Sequence, residues 1–310
     1  MIPVEVRKVL EKQQYRIVGN HSSVKICRWT KKSLTEGKVC YKEKWYSPVE
    51  SHRCMQMTPA MGCNFHCLHC WRLHSGDRPG FIWKEFPLDK KELDEPTEIV
   101  EGCIKARKKL LSGFGGNPKV DKKKFEEALK PTMMTLSLTG EPTLYPEISE
   151  LVIEAKKRGM ISFLVTNGSK PKILEKMDSL PWQLYVSIYG PDKKTYKKIT
   201  RPKIKNAWKK MNETLDLFPS LNTRKVLRLT MIKGYNMKNP KGYAKLIEKS
   251  EPNFVEVKAY EWVGESQKRL PMDAMPYHED VKRFAEQISE HSSFKIKDEF
   301  KPSRVVLLTK

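Results

Sequence analysis

The sequence predicts an α/β fold: a partial (βα)6 barrel, TIM-like but open. Three observations carry this expectation. Six short β-rich runs, at 54–57, 133–139, 161–166, 184–188, 226–232 and 254–259, alternate with stretches of helical periodicity, which argues for parallel strands joined by right-handed crossovers. Several runs end in Gly, Asn or Glu, as in Thr139-Gly140-Glu141, Thr166-Asn167-Gly168, Ile188-Tyr189-Gly190 and Lys233-Gly234-Tyr235-Asn236. Loops at strand C-termini are where parallel barrels keep functional residues. Six repeats in a chain of 310 residues are too few for eight strands and suit one partial barrel with additions.

Residues 1–50 do not follow the strand–helix alternation and are expected to form an N-terminal extension packed beside the barrel. Residues 51–265 carry the repeats and are expected to form the barrel core. Within it, Ile99, Cys103, Ala106 and Leu110 make one apolar stripe at helical spacing, and Ile148, Leu151, Val152 and Ala155 make another. Residues 113–124, with Gly, Asn, Pro and a lysine triplet, read as a surface loop. Leu246 and Ile247 mark a third helix. Residues 266–310 should add a helix on Val281, Phe284, Ala285 and Ile288, then a hairpin of 294–296 and 305–308 turning across 298–302.

Chemistry enters with the cysteines. Cys63, Cys67 and Cys70 form Cys-x3-Cys-x2-Cys, three thiols within eight residues. Three thiolates at this spacing can wrap three corners of a four-iron cluster and leave the fourth iron open, whereas electron-transfer clusters use four cysteines. A helical apolar face is the bland alternative, but Gly62, Asn64, His66 and His69 make a poor amphipathic helix. Zinc held by the three cysteines and His66, His69 or His74 is the better rival. Cys27, Cys40 and Cys54 form a second, wider triad, read as a candidate metal site against the alternative of buried cysteines. Cys103 sits on a helical stripe and is assigned to packing. Seven cysteines, odd in number and unevenly placed, suit metal binding better than disulfides.

The formal charge is +22, from 59 Lys and Arg against 37 Asp and Glu. Single pairs such as Lys193-Lys194 or the triplet Lys122-Lys123-Lys124 read as solvated faces. Their sum favours a polyanionic partner, and nucleic acid is preferred over a membrane because no amphipathic membrane helix is evident. No apolar run reaches the roughly eighteen residues of a membrane span, and Met1-Ile2-Pro3-Val4-Glu5-Val6-Arg7 lacks a signal-peptide core. A cytoplasmic monomer is expected.

The Cys63 motif resembles the signature of radical S-adenosylmethionine enzymes, whose fold is a partial (βα)6 barrel. Across nearly the whole chain the sequence resembles the archaeal 4-demethylwyosine synthases, tRNA-modifying radical enzymes of wybutosine biosynthesis. The residues that carry this are both cysteine triads, Cys70-Trp71-Arg72, Thr139-Gly140-Glu141-Pro142-Thr143, Thr166-Asn167-Gly168 and the late segment Val257-Lys258-Ala259-Tyr260 to Met275-Pro276-Tyr277-His278-Glu279.

The resemblance implies a lyase that acts on N1-methylguanosine in the anticodon stem-loop of phenylalanine tRNA, with pyruvate as carbon donor. It implies two 4Fe–4S clusters, one on Cys63, Cys67 and Cys70 that binds S-adenosylmethionine, one on Cys27, Cys40 and Cys54. Gly140, Glu141 and Pro142 match the family's contact to the methionine amino group, with Thr139 where the superfamily has a first glycine. Asn167 and Ser187 match contacts to the methionine carboxylate or ribose, and the His69 backbone is placed to reach adenine. Lys42 matches a lysine considered as a pyruvate partner, through a Schiff base or an ion pair. Pyruvate could instead chelate the open iron of the second cluster, and its two oxygens suit that. An external electron donor is implied, because the barrel fills the chain. Two rival functions remain in view: a radical enzyme with an auxiliary cluster acting on a peptide or small metabolite, and a non-enzymatic, zinc-containing RNA-binding protein.

Overall fold

A computed structural model describes residues 2–310. The chain divides into two compact units. Residues up to Cys63, with Ser75–Val165 and Met177–Trp182, form the first; Asn64–His74, Thr166–Lys176 and Gln183–Lys310 form the second.

In the first unit the strands are β1 (Arg16–Val18), β2 (Ser22–Lys25), β3 (Cys54–Thr58), β4 (Met133–Leu136) and β5 (Ile161–Thr166), hydrogen-bonded in that order. β3, β4 and β5 pair in parallel, with Cys54 opposite Met133 and Met133 opposite Ile161. The helices are α1 (Val4–Lys12), α2 (Arg28–Glu36), α3 (Tyr41–Trp45), α4 (Pro96–Leu111), α5 (Lys122–Ala128) and α6 (Ile148–Lys157). α4 starts with Pro96 at its first turn, where a missing N–H costs nothing.

The expectations need three corrections here. The first fifty residues do more than lie beside the barrel strands: β2 pairs antiparallel with β3, Ser23 opposite Thr58. Lys122, Lys123 and Lys124 open helix α5 instead of ending a loop, because the Asp121 carboxylate caps it by accepting the Lys124 N–H. The buried stripe of α4 is Ile99, Val100, Cys103, Arg107 and Leu111. An arginine takes the inward position expected of Ala106, for a reason given below. Cys103 is fully buried on that stripe and its thiol is pushed upward by burial, as packing demands.

The second unit holds β6 (Gln183–Ile188), β7 (Arg224–Met231) and β8 (Phe254–Ala259), parallel to one another, then β10 (Val305–Thr309) and β9 (Lys295–Phe300), antiparallel. Its helices are α7 (Pro171–Glu175), α8 (Lys193–Thr200), α9 (Ala207–Leu217), α10 (Pro240–Ser250) and α11 (His278–Glu290). Val281, Phe284, Ala285 and Ile288 of α11 are buried as their spacing requires, and each of the larger three contributes about 1.5–3 kcal/mol. The terminal hairpin runs further than expected: residues 298–300 continue β9, and the turn is the single 3-10 segment Lys301–Ser303.

Candidate functional site

The N-terminal triad lies wholly in the first unit. Cys27 is the N-cap of α2 and Cys40 the N-cap of α3. The backbone N–H groups of Trp29 and Thr30 favour the Cys27 thiolate, and that of Lys42 the Cys40 thiolate, against burial. Cys54 opens β3, with its Sγ 3.3 Å from Thr135 Oγ1 on β4. The three sulfurs feel one another. Burial and then the Cys54 charge raise the Cys27 thiol; burial and then Cys27 push Cys40 up to about 12. Three half-buried thiolates that repel one another are stable together around a cationic centre. A helix N-terminus beside a thiol, as at Cys27 and Cys40, is the usual environment of a reactive or metal-bound sulfur.

Ser51 assembles this corner. Its Oγ accepts the Cys40 N–H at 2.8 Å, its carbonyl accepts Thr30 Oγ1 at 2.8 Å, and its N–H donates to Glu43 at 2.6 Å. Arg107 explains the altered α4 stripe. It is 1% exposed and donates to the carbonyls of Cys54 at 3.3 Å, His52 at 2.7 Å and Ala128. Burial brings its guanidinium down to about 10, with the Cys54 charge opposing. Lys42 lies in the first turn of α3, its Nζ 4.4 Å from the centre of the Phe163 ring on β5. Lys42 and the Cys27–Cys40–Cys54 triad are thereby brought together, since both Cys27 and Cys40 feel its charge.

The Gly140–Pro142 turn is seated against the residues just before Cys63. Gly140 has φ +71, and a Cβ there would stand 1.9 Å from the Ala60 carbonyl oxygen and 2.6 Å from that of Gly62. Only glycine fits. Glu141 donates its N–H to Gly62 O at 2.9 Å, and its carboxylate accepts the Thr143 N–H at 3.1 Å and hydroxyl at 2.6 Å. Cys63 donates its N–H to Glu85 Oε2 at 3.1 Å; the other Glu85 oxygen accepts the Ser75 N–H at 2.6 Å. Glu85 therefore closes the loop that leaves and re-enters this unit.

In the second unit the rest of the motif rests on α8. His66 N–H donates to Thr200 O at 3.1 Å, and Leu68 N–H to Ile199 O at 2.9 Å. Asn167 uses its amide on Asn64 Oδ1 at 2.9 Å and accepts the Ser169 N–H, and Asn64 in turn donates to Ser169 Oγ. Asn167 thus joins the end of β5 to the start of the motif loop. Ser187 is buried within β6, opposite Arg228 in register. The His69 ring lies 4.7 Å from that of Tyr189, and burial, then Arg269, brings its pKa down to about 3, so it is neutral. All seven cysteines carry thiols outside any disulfide, so both triads keep their full donor set.

The Radical SAM superfamily matches residues 134–247, and Wyosine base formation matches 249–310. The S-adenosyl-L-methionine-dependent tRNA 4-demethylwyosine synthase of Pyrococcus horikoshii is 51% identical over 312 residues, spanning 99% of this chain and 89% of its own length. The chain belongs to the tRNA 4-demethylwyosine synthase family. The Methanocaldococcus jannaschii synthase is 38% identical, across 99% of this chain and 96% of its own. A solved TYW1 with a lysine-pyruvate adduct bound has a TM-score of 0.88 at 36% identity, covering 100% of this chain and 96% of that one. Archaeal TYW1 follows with a TM-score of 0.80 at 34% identity. The fold is thus that of the radical-SAM enzymes, and membership implies S-adenosylmethionine and a 4Fe–4S cluster.

The residues fit those groups. Three thiols in a short loop can hold three irons, and the glycine seat at 140 shows a backbone built for close approach. Sequence reasoning missed Ser51, Glu85, Arg107 and Arg269. Glu85, Arg107 and Arg269 act by hydrogen bonds to backbone groups distant in sequence, and Ser51 by bonds to the Cys40 N–H and to the Thr30 and Glu43 side chains; no local pattern marks such a residue.

Proposed function

We propose that this protein converts N1-methylguanosine beside the anticodon of phenylalanine tRNA, with pyruvate, into 4-demethylwyosine, as a carbon–carbon lyase. The observation that carries this is 51% identity, over 99% of the chain, to a synthase of that name. A 4Fe–4S cluster held by Cys63, Cys67 and Cys70 would supply the one-electron reduction of the S-adenosylmethionine sulfonium that hydrogen abstraction from the N1-methyl group would require. Gly140, Glu141 and Pro142 would seat the cofactor's methionine end, with Asn167, Ser187 and the His69 backbone along its carboxylate, ribose and adenine. A second cluster would sit on Cys27, Cys40 and Cys54.

Lys42 is the proposed covalent partner of pyruvate. The support is the lysine-pyruvate adduct of the related TYW1 and the place of Lys42 beside the second triad. The neutral amine would attack the keto carbon, water would leave, and the imine would hold pyruvate while the methyl-derived carbon adds to it. Scission of the adjacent carbon–carbon bond would then restore the imine and expel the carboxylate as a radical anion, which one electron from the external reductant and a proton would turn into formate; the guanine exocyclic amine would displace the Lys42 amine from the imine carbon and so close the third ring.

RNA would be gathered by α8 and its continuation. Lys193, Lys194, Lys197, Lys198, Arg201, Lys203 and Lys205 are all exposed there. The same helix end holds the loop of Cys67 and Cys70, so a phosphate strand on α8 would lie beside the reacting centre. A monomer in the cytoplasm, served by an external reductant, completes the reading. No helix among the described residues is long and apolar enough to cross a membrane.

The test is an anaerobic reaction of methylated tRNA, S-adenosylmethionine and pyruvate, with nucleoside analysis and borohydride trapping. The tricyclic nucleoside and a pyruvate adduct on Lys42 are expected. Product without an adduct, together with a pyruvate-induced shift in the paramagnetic signal of the Cys27 cluster, would move pyruvate from the lysine to the iron. Absence of the nucleoside would reject the function.

A further inference from the structure

Arg269 lies about two hundred residues beyond the cysteine motif, within the segment that matches Wyosine base formation. Its side chain does not serve its own neighbourhood. Nε donates to Leu68 O at 3.3 Å, and a terminal nitrogen donates to Arg72 O at 3.2 Å and to Cys70 O. The carbonyl left between them, Trp71 O, accepts the Glu265 N–H at 3.0 Å. Gly264 (φ +60) passes so close that a Cβ there would stand 2.5 Å from the same oxygen. Residues 264–269 thus gather four carbonyls of the 68–72 loop, three of them on one guanidinium. A planar fork of five N–H donors suits this task; an ammonium of three donors on a flexible stem does not reproduce it.

The contact also sets charge. The guanidinium lays a fixed positive charge against three carbonyls of this loop. A cluster gains one negative charge when reduced, and nearby charge and hydrogen bonding are among the factors that set its potential. A cation in a partly buried place favours the reduced form.

We propose that Arg269 is a positioning residue for the radical-generating cluster: it clamps the loop of Cys67 and Cys70 through its carbonyls and raises the cluster's reduction potential. By this route the wyosine-specific segment controls the superfamily's chemistry. The inference rests on the reading of Cys63, Cys67 and Cys70 as cluster ligands. A wild-type protein that takes up no iron defeats that reading; iron bound with the properties below unmoved defeats only this one.

The experiment compares reconstituted wild-type protein with Arg269→Gln and Arg269→Lys. It measures the midpoint potential of the paramagnetic signal that S-adenosylmethionine perturbs, the rate of iron loss to a chelator, and the melting temperature of the iron-free protein. Arg269→Gln should lower the potential by about 59 mV, a tenfold shift in the one-electron equilibrium. Arg269→Lys keeps the charge and loses the fork, so its potential should stay near wild type while iron is lost several-fold faster. Equal potentials in Arg269→Gln and wild type, or an equal drop in both variants, would overturn the electrostatic role. Wild-type iron retention in Arg269→Lys would overturn the clamp. Should neither variant hold its cluster, the iron-free melt decides: an unchanged melt supports a loop clamp, and a melt lowered in both variants makes Arg269 a residue of general stability and refutes the proposal.

Discussion

Replacing Gly140 with alanine tests whether the cofactor turn is seated by close backbone approach. The cost has two parts. A non-glycine residue at φ +71 pays roughly 1–2 kcal/mol for the left-handed conformation. The new Cβ would lie 1.9 Å from Ala60 O and 2.6 Å from Gly62 O, both main-chain atoms, so the turn must retreat by more than an ångström. That retreat breaks the 2.9 Å bond from Glu141 N–H to Gly62 O, about 1 kcal/mol more. The total is about 2–3 kcal/mol, less than the roughly 5–15 kcal/mol that holds a typical domain together. The variant should fold, and melt about 5–10 °C lower at roughly 2–4 °C per kcal/mol. Gly159→Ala is the control. Its φ is +68, and nothing lies within 4 Å of the added Cβ. It carries the conformational cost alone. Calorimetry and S-adenosylmethionine binding should show Gly140→Ala losing clearly more stability than Gly159→Ala, and at least tenfold in affinity where Gly159→Ala loses none. Equal melting losses with unchanged cofactor affinity would refute the seat.

Replacing Cys27, Cys40 and Cys54 together with alanine should remove about half the bound iron while cofactor binding survives; a variant that retains all its iron shows that the triad holds no cluster. Lys193→Glu with Lys194→Glu and Lys197→Glu should weaken tRNA binding at least tenfold and reduce the salt slope by about 0.7–0.9 for each phosphate that is no longer neutralised. The same reversal at Lys122, Lys123 and Lys124 should do much less, and equal effects would mean that net charge and not α8 binds the RNA. Asp192 caps α8, accepting the Thr195 N–H at 2.8 Å and hydroxyl at 2.9 Å, so Asp192→Ala should cost about 1 kcal/mol of stability. Burial raises this carboxyl, but the bonds from Thr195 and the Lys194 N–H outweigh it and hold the pKa below 3.8. The stabilisation is present above that pH and is lost as pH falls through the lower folded value, so the melting difference between wild type and variant should vanish in strong acid.

Much of the fold was legible because parallel strands buried on both faces read as short apolar runs. Strands β3 to β8 fall where those runs predicted, within a few residues at their ends. β1 and β2 went unread. They are three and four residues long, too short to show a pattern, and β2 opens on two serines; β2 is fixed by pairing with β3, and β1 by pairing with β2. The residues 298–300 went to the wrong side of a turn because Asp298-Glu299 has little strand propensity, whereas the backbone pairing with β10 overrides it.

For the candidate site, the residue types and their spacing were legible in the chain. Thiol spacing sets how many irons a short loop can wrap, and glycine, glutamate and proline at a strand end need no partner to be recognised. The tertiary structure alone decided what holds that chemistry in place. Cys27, Cys40 and Cys54 are separated by twelve and thirteen residues, and only two helix starts and a strand start bring their sulfurs within one another's field. Arg107 and Arg269 look like two among 59 cations. Each becomes singular because three backbone carbonyls converge on it. Carbonyls are present at every residue and carry no side-chain identity, so their convergence leaves no trace in the sequence.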